Sequence, residues 1–480
     1  MTSLLLLPLL ACASPQARQS AQQKALVFTH VTVIDATGAP AKPDATVVIV
    51  EDRVTQVGQA GSVRVPSDAQ VVNGQGKFLI PGLWDMHIHW FGNDKRYLEL
   101  FIINGVTGAR VMWGAPIHFA WRREIQEGAF LGPRMVIASS ILDGPNPVWP
   151  GSIAVENDTE AREAVRKAKE SGVDFVKVYS LLPRQAYFAI ADESRKQGLP
   201  FVGHVPNSVS AGEASDAGQK SIEHLTGVLA ACSTQEEAWR KGMLDSFSKL
   251  PQGQTIPSPE RTRPLSRLLL ETFSSEKAAA LFSRLKQNHT WQCPTLVVSR
   301  SFAFLNDASF RDDKRLKYMP AKFRATWDPN ADFRVQGRTS EDYDLSRAGF
   351  RKSVELVGLM RRAGVEFLAG TDVGNPYVFP GFSLHDELAL LVQAGLTPME
   401  ALQAATVNAT RFLGNDKDFG TIEKGKIADL VLLESNPLEN ITHTQKISAV
   451  VFGGRLFAKP ELQQMLVDVE ALANSAASTR

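Results

Sequence analysis

The sequence predicts an α/β protein: a (β/α)8 barrel joined to a small β-sandwich domain that is built from both ends of the chain. Two patterns indicate this fold. Short apolar strands alternate with helices through the middle of the chain, which is typical of a parallel sheet with crossover helices. Period-two alternation with turn residues marks both ends as antiparallel strands. With 480 residues, of which 44% are hydrophobic, the chain can fill a large core.

The β domain is predicted from similar strand patterns at the two ends of the chain. Near the N-terminus, Leu26 to Ile34 and Thr46 to Val57 alternate in this way, and residues 420–433 and 447–456 repeat the pattern near the C-terminus. We therefore expect residues 25–80 and 418–460 to form one domain. The barrel would occupy residues 81–417, and residues 461–480 would be a C-terminal tail.

The barrel prediction depends on eight apolar strands, several of them separated by helical stretches. Eight strands and their helices in roughly 340 residues fit the usual size of a (β/α)8 barrel with insertions. The long piece 232–289 has no place in a minimal barrel and is predicted to be extra helices over the mouth. The predicted strands are Leu83 to Trp90, Thr107 to Trp113, Arg134 to Ile141, Phe175 to Tyr179, Phe201 to Val205, Ser221 to Leu225, Trp291 to Val298 and Glu366 to Val373. The clearest helices are Thr159 to Ser171, Pro183 to Gln197, Ser346 to Ala363 and Ser383 to Ala394.

The first residues form an apolar stretch that is too short to span a bilayer but suits the core of a signal peptide. Leu9-Leu10-Ala11-Cys12 resembles a bacterial lipobox, in which the cysteine is lipidated and becomes the mature N-terminus. Residues 1–24 are therefore predicted to be a signal peptide and lipoprotein tether. The protein would be exported, either periplasmic or anchored to the membrane through Cys12. A plain secretory signal or a wrongly assigned start is the alternative.

The overall charge gives no sign of a polyanionic partner. Lys plus Arg (52) nearly cancel Asp plus Glu (51), without long runs of one sign, so nucleic acid is excluded and a small-molecule substrate is expected. Cys232 and Cys293 lie in apolar contexts and are predicted to be buried thiols instead of a disulfide. The sequence leaves open whether the chain is a monomer or a homo-oligomer.

Candidate metal ligands stand at the ends of five of the eight predicted strands. Chemistry in such barrels is located at the C-terminal ends of the strands. Imidazole and carboxylate together suit zinc or a similar divalent ion. Each residue alone has an ordinary alternative, such as a hydrogen-bonded core histidine or a turn-capping aspartate, so their joint occurrence carries the prediction. The six candidates are His87, His89, Lys177, His204, His224 and Asp372.

Lys177 is the least expected member, because an unpaired lysine is rare in a strand that is covered on both faces. A desolvated lysine has a lowered pKa and becomes a nucleophilic amine. Reaction with carbon dioxide would give a carbamate, an anionic ligand able to bridge two metals. An exposed strand edge is the alternative position for Lys177.

This set resembles the amidohydrolase superfamily, and within it the imidazolonepropionase-like group that includes zinc dipeptidases of the prolidase type. The order His-x-His, Lys, His, His, Asp on strands one, four, five, six and eight carries the resemblance, together with the flanking segments 78–82, 395–408 and 425–430. It implies two zinc ions per chain. The resemblance also implies a role for each residue: His87, His89 and Asp372 would hold the more buried metal. His204 and His224 would hold the more exposed one, and carboxylated Lys177 would bridge the two.

The resemblance implies hydrolysis by a metal-bridging hydroxide, with Asp372 as general base and then acid. An amide bond, in a peptide or an N-acyl amino acid, is the predicted target. Hydrolysis of a lactone, carbamate or phosphoester on the same site is the first alternative, and a cyclic deaminase is less favoured. A non-catalytic, lipid-anchored binding protein is the alternative of another class.

Three further residues are predicted to contact substrate. Tyr179 lies two positions beyond the bridging lysine, and Trp149 belongs to a Pro-rich loop, residues 142–151, that we expect to form a rigid, partly apolar wall over the site. His385 lies near the start of the helix after the eighth strand, where a structural role beside Ser383 is the alternative. Arg110 and Arg184 could grip a substrate carboxylate, although surface salt bridges are the favoured use.

Overall fold

The computed structural model describes residues 24–90, 94–251 and 253–475. The predicted signal segment with Cys12 therefore lies outside the described residues. The strands are β1 Leu26–Val33, β2 Lys42–Val50, β3 Arg53–Gln59, β4 Gln70–Asn73, β5 Phe78–Pro81, β6 Leu83–Ile88, β7 Val106–Val111, β8 Arg134–Asp143, β9 Ile153–Ala154, β10 Phe175–Val178, β11 Phe201–Gly203, β12 Ser221–Glu223, β13 Trp291–Cys293, β14 Leu430–Leu433, β15 Ile447–Phe452 and β16 Arg455–Ala458.

Helices cover the barrel and the C-terminal part of the described chain. They are α1 Glu99–Ile103, α2 Pro116–Gln126, α3 Asp158–Glu170, α4 Arg184–Gln197, α5 Ala211–Asp216, α6 Val228–Ala231, α7 Glu236–Ser248, α8 Pro259–Glu271, α9 Ser275–Gln287, α10 Leu296–Ala303, α11 Ala321–Ala325, α12 Ser340–Ala363, α13 Phe382–Gln393, α14 Pro398–Ala404, α15 Val407–Leu413 and α16 Lys459–Ser475. Short 3-10 helices occupy Lys95–Leu98, Ala308–Asp312, Lys314–Tyr318 and Ile441–Gln445. Within the described ranges, no helix combines the length and apolar character needed to cross a membrane.

The predicted barrel is confirmed. Seven strands pair in parallel in the order β6-β7-β8-β10-β11-β12-β13. The eighth position is an irregular segment, residues 366–373, that joins the two edges: Phe367 bridges to Gln292 in β13, and Val373 bridges to Ile88 in β6. Backbone hydrogen bonds from Leu368 N to Gln292 O (2.9 Å) and from Met86 N to Ala369 O (2.9 Å) complete the closure.

The predicted length of the seventh strand is wrong. It ends at Cys293, and residues 296–298, expected to be strand, form the first turn of α10. Pro294 has no amide hydrogen to donate to a neighbouring strand, and Thr295 adopts a left-handed backbone (φ 48°). The buried carboxylate of Glu387 then accepts hydrogen bonds from the free amides of Leu296 and Val297, at 3.0 and 2.7 Å.

The terminal β domain is one mixed sheet in the order β16-β15-β14-β5-β1-β2-β3, with β4 paired to β1. Pairing of β5 with β14 joins the two ends of the chain, as predicted. The expectation of purely antiparallel strands is wrong, since β1 runs parallel to both β4 and β5. Strand β5 continues directly into β6 across Gly82, where a side chain would collide with Thr107.

Two other segments differ in detail from the sequence expectation. Most of the predicted tail is helix α16, which packs on the β domain and on α1. The insertion is helical as expected, but α7 and α8 pack on each other and α8 leans against α12. Helix α9 lies between α5 and α12 as an ordinary barrel helix.

Candidate metal and catalytic site

The structure brings together the six residues predicted as metal ligands. They occur at the ends of β6, β10, β11, β12 and the eighth strand position, and they neighbour one another at the C-terminal end of the barrel. Exposure rises across the cluster: the side chains of His87 and Lys177 are fully buried, whereas His89, His224 and Asp372 are 20%, 17% and 13% exposed. The cluster therefore has a buried end and an end that faces the mouth.

Three donor atoms form a nearly equilateral triangle. The Nε2 atoms of His87 and His89 are 3.2 Å apart, and Oδ1 of Asp372 lies 3.3 Å from the first and 3.2 Å from the second. Zinc bound tetrahedrally at about 2.0–2.1 Å separates its ligands by roughly 3.3 Å. These three atoms therefore have the spacing of one face of a zinc tetrahedron, so this donor set fits a divalent ion.

Burial keeps the histidines in the form that can bind a metal. Desolvation lowers the pKa of His89 to about 4 and that of His224 to about 3, and it holds the pKa of His204 well below its usual range. These imidazoles are therefore neutral at neutral pH, as metal ligation requires.

The second half of the cluster is formed by His204 and His224, whose rings are 5.0 Å apart. Nδ1 of His204 lies 2.8 Å from Oγ of Ser180, and Nδ1 of His224 lies 2.6 Å from Oγ1 of Thr295. Because Nδ1 is used in each case, Nε2 is the nitrogen left for a metal.

Lys177 lies in the barrel core and not on an exposed edge. Its Nζ is buried and has no hydrogen-bond partner among the described residues, and burial lowers its pKa to about 8. Gly203, the residue before His204, makes room for it: a Cβ there would lie 3.1 Å from Cδ of Lys177 and 2.2 Å from the carbonyl oxygen of Val178. An orphaned buried amine between metal-ligand candidates needs a partner that the protein atoms do not supply.

Asp372 is aimed by a residue that sequence reasoning missed. Its backbone is left-handed (φ 62°), and its amide donates to the carbonyl of His87 at 2.7 Å. Asp85, fully buried in β6, accepts hydrogen bonds from the amide and hydroxyl of Thr371 at 3.0 and 2.6 Å. Asp85 therefore fixes the turn from which the Asp372 side chain projects.

Tyr179 and Trp149, both predicted to contact substrate, lie at the rim of the cluster. The Tyr179 ring stacks on His204 with centroids 3.9 Å apart, and Nε1 of Trp149 donates to the Tyr179 hydroxyl at 2.9 Å. Asp143 pins the Pro-rich loop by accepting from Val148 N (3.0 Å) and Leu181 N (2.7 Å). These hydrogen bonds hold the loop in place, and its Trp149 ring lies beside the cluster.

A second wall of the rim comes from residues 305–339, which follow the seventh strand and were not singled out from the sequence. Phe333 meets Trp149 edge-on at 5.4 Å, and the guanidinium of Arg334 lies 5.4 Å from the same ring. Arg334 also bonds Asp332 and the side-chain oxygen of Asn375, whose amide donates to the carbonyl of Asp372. A chain of contacts therefore runs from Asp372 across Arg334 and Trp149 to His204.

The remaining predicted contacts lie elsewhere. His385 is 1% exposed, and its two ring nitrogens lie 2.9 Å from the Thr444 hydroxyl and 3.1 Å from the Asn104 carbonyl oxygen, which favours the structural role. Arg184 forms the expected surface salt bridge with Glu213. The same expectation is wrong for Arg110, which is fully buried beneath the cluster.

Arg110 pairs with another residue that sequence reasoning missed. It donates to both carboxylate oxygens of Glu223, at 2.9 and 2.8 Å, and Glu223 accepts from Nδ1 of His87 at 2.8 Å. Burial alone would raise the pKa of Glu223, but Arg110 holds it well below its usual range. A charged residue beside His224 in an apolar strand could have been flagged by the argument used for Lys177.

Comparisons with known proteins agree with this fold. A model of the amidohydrolase family matches residues 328–457. The ochratoxinase of Aspergillus niger is 24% identical over 452 residues, covering 80% of this chain and 76% of that protein. Two solved structures share the fold: a bottromycin amidohydrolase (TM-score 0.72, 23% identity, 94% of this chain and 91% of that one) and a Xaa-Pro dipeptidase with bound methionine in the active site (TM-score 0.66, 16% identity, 91% and 100%).

The closed barrel and the imidazole, lysine and carboxylate groups at its C-terminal end define a barrel hydrolase. Within that class, residues 328–457 match the amidohydrolase family, and homologues from that family are hydrolases that act on carbon–nitrogen bonds.

Proposed function

We propose that the protein is a metal-dependent amidohydrolase that cleaves an amide bond in a peptide or an N-acyl amino acid, with two zinc ions per chain. The triangle formed by His87 Nε2, His89 Nε2 and Asp372 Oδ1 carries the proposal, because its edges of 3.2–3.3 Å match the ligand spacing of zinc. His204 and His224 supply the second pair of imidazoles.

Lys177 is carboxylated in this proposal. The neutral amine attacks the carbon of carbon dioxide, a C–N bond forms as one C–O π bond opens onto oxygen, and the amine proton leaves to solvent, so that the product is an anionic carbamate. Its two oxygens could bridge the two halves of the cluster. Support comes from the burial of Nζ and from its lack of a partner among the described residues.

Bound divalent ions would supply a nucleophilic hydroxide at neutral pH and polarise the scissile carbonyl. Asp372 projects into the cluster from its left-handed turn, and as general base its carboxylate takes the proton of the attacking water. The same group then returns that proton to the leaving nitrogen. Asp85 and Asn375 hold Asp372 in place through its neighbouring backbone.

An amide substrate is favoured by the rim and by the relatives. The aromatic rings of Trp149 and Tyr179 can pack against an acyl group, while Arg334 can pair with a carboxylate. The names of two structural neighbours, an amidohydrolase and a dipeptidase, point the same way. Hydrolysis of a lactone, carbamate or phosphoester on this site is the alternative activity, and a non-catalytic binding protein is the alternative of another class.

Metal analysis and a substrate panel test the proposal. About two zinc per chain are expected, with turnover of N-acyl amino acids or dipeptides that is lost in Lys177→Ala and Asp372→Asn. Lys167→Ala, on the exposed face of α3, is the matched control and should behave as wild type. A folded protein that binds no metal would refute the function, and turnover of lactones without amides would replace it with the first alternative.

We also propose that the protein is exported and anchored through lipidated Cys12, on the strength of the lipobox-like Leu9-Leu10-Ala11-Cys12. Mass spectrometry of the mature N-terminus checks this. A diacylglyceryl group on Cys12, absent in Cys12→Ala, is expected, whereas cleavage at another position would contradict it.

A further inference from the structure

The imidazoles of the cluster differ in what their Nδ1 atoms contact. Nδ1 of His87 faces a carboxylate, that of Glu223. The corresponding atoms of His204 and His224 lie within hydrogen-bond distance of hydroxyl groups, and Nδ1 of His224 also lies 4.0 Å from Oδ2 of Asp372. Nδ1 of His89 has no hydrogen-bond partner in the described part of the chain. Among these four imidazoles, His87 is thus the one whose Nδ1 forms a hydrogen bond with a carboxylate.

The Glu223 carboxylate is itself held on several sides. Arg110 donates to both of its oxygens, and the Ser221 hydroxyl donates to Oε1 at 2.5 Å. Arg110 is fixed in turn by hydrogen bonds from Nε to the Met86 carbonyl oxygen (2.5 Å) and from Nη1 to Oγ of Ser221 (3.1 Å). The side chains of Arg110 and Glu223 are fully buried, so water does not weaken these contacts.

A carboxylate partner affects a metal-binding imidazole more strongly than a hydroxyl partner does. It fixes the proton on Nδ1, which leaves the Nε2 lone pair for the metal, and it makes the imidazole a stronger donor. A hydroxyl group can donate or accept, so it fixes neither the proton nor the charge. The two halves of the cluster should therefore bind metal unequally.

We propose that Glu223, locked by Arg110 and Ser221, is a positioning residue that makes the His87–His89–Asp372 half the tighter of two metal positions. The inference rests on the proposed two-metal function. It goes further by assigning unequal affinities to the two halves, and by naming the buried ion pair that produces the difference.

Zinc retention tests the inference without measuring activity. Zinc-loaded protein is dialysed against a graded series of chelator concentrations, and bound zinc is counted by elemental analysis. Wild type should lose its two zinc ions in separate steps. In Glu223→Gln the second step should move to 10- to 100-fold weaker chelation, the usual effect of losing such a partner. Thr295→Val, the matched control, should move only the first step, because it removes the hydroxyl that faces His224.

Removing the Glu223 charge leaves Arg110 buried without its partner, which could unfold the protein. The double variant Arg110→Met/Glu223→Gln removes both charges and should show the same weakened second step, with thermal unfolding confirming that it is folded. Loss of both zinc ions in one step in wild type, or an unmoved second step in the folded Glu223 variants, would overturn the inference. Wild type that binds no zinc would instead refute the proposed function.

Discussion

The pH dependence of stability can show whether His385 is a buried structural histidine or a residue that contacts substrate. Burial lowers its pKa from the ordinary 6.5 to about 4, so the folded protein holds it neutral while the unfolded chain protonates it in weak acid. Its contribution to stability is complete above pH 6.5 and is lost as the pH falls towards 4. The pKa difference of about 2.5 units corresponds to roughly 3.4 kcal/mol in the free energy of unfolding, of which about 2 kcal/mol is already lost at pH 5.

The measurement compares metal-free wild type with His385→Gln, whose side chain does not titrate. Between pH 8 and pH 5 the free energy of unfolding, from urea denaturation, should fall about 2 kcal/mol further in wild type than in the variant. Using metal-free protein removes any contribution from acid-driven metal loss. Equal pH dependence in the two proteins would refute the reasoning. A large rise in KM of His385→Gln at pH 8, with an unchanged stability profile, would show instead that His385 contacts substrate.

Two further substitutions test the packing and the rim of the site. Gly203→Ala should destabilise the protein by about 2–4 kcal/mol and reduce bound zinc, since the new Cβ would lie 2.2 Å from the Val178 carbonyl oxygen. The control Gly198→Ala, whose new Cβ has nothing within 4 Å, should lower the free energy of unfolding by only about 1 kcal/mol. Equal losses of unfolding free energy in the two variants would contradict this. Trp149→Phe should raise KM about fivefold with little change in kcat or zinc content, because it removes a hydrogen bond worth about 1 kcal/mol to Tyr179. Tyr179→Phe and the double variant complete a mutant cycle on KM, and strictly additive effects would argue against this coupling.

The positions of the candidate ligands could be predicted from the sequence because strand alternation and barrel topology place them together. A lysine inside an apolar strand is informative in itself, and Lys177 is indeed fully buried. The groups that hold the ligands were not predicted. Thr295 meets His224 from 71 residues away, and Glu223 meets His87 from 136 residues away. No local pattern encodes such pairs, since they exist only once the barrel has closed.

The rim was harder to predict for a different reason. Residues 305–339 contain short 3-10 and helical turns without a sustained hydrophobic period, so no local pattern indicates that they cover the mouth. The helical periodicity of residues 232–289 instead predicts that this insertion covers the mouth. Arg334 shows the consequence: it reaches the rim, whereas Arg110 and Arg184, the two arginines considered from the sequence, do not.

The site stores backbone strain that buried carboxyl groups hold in place. Ten non-glycine residues in the described part of the chain have positive φ, and four of them lie at this site: His224, Leu225, Thr295 and Asp372. These four follow three neighbouring strand positions of the barrel. Such a conformation costs roughly 1–2 kcal/mol per residue. Glu387 accepts hydrogen bonds from the turn after Thr295, and Asp85 accepts one from the turn before Asp372. Burial raises the pKa of Glu387 to about 8 and that of Asp85 to about 7. Because these carboxyl groups belong to the barrel itself, the protein's own hydrogen bonds hold the turns that carry the candidate ligands.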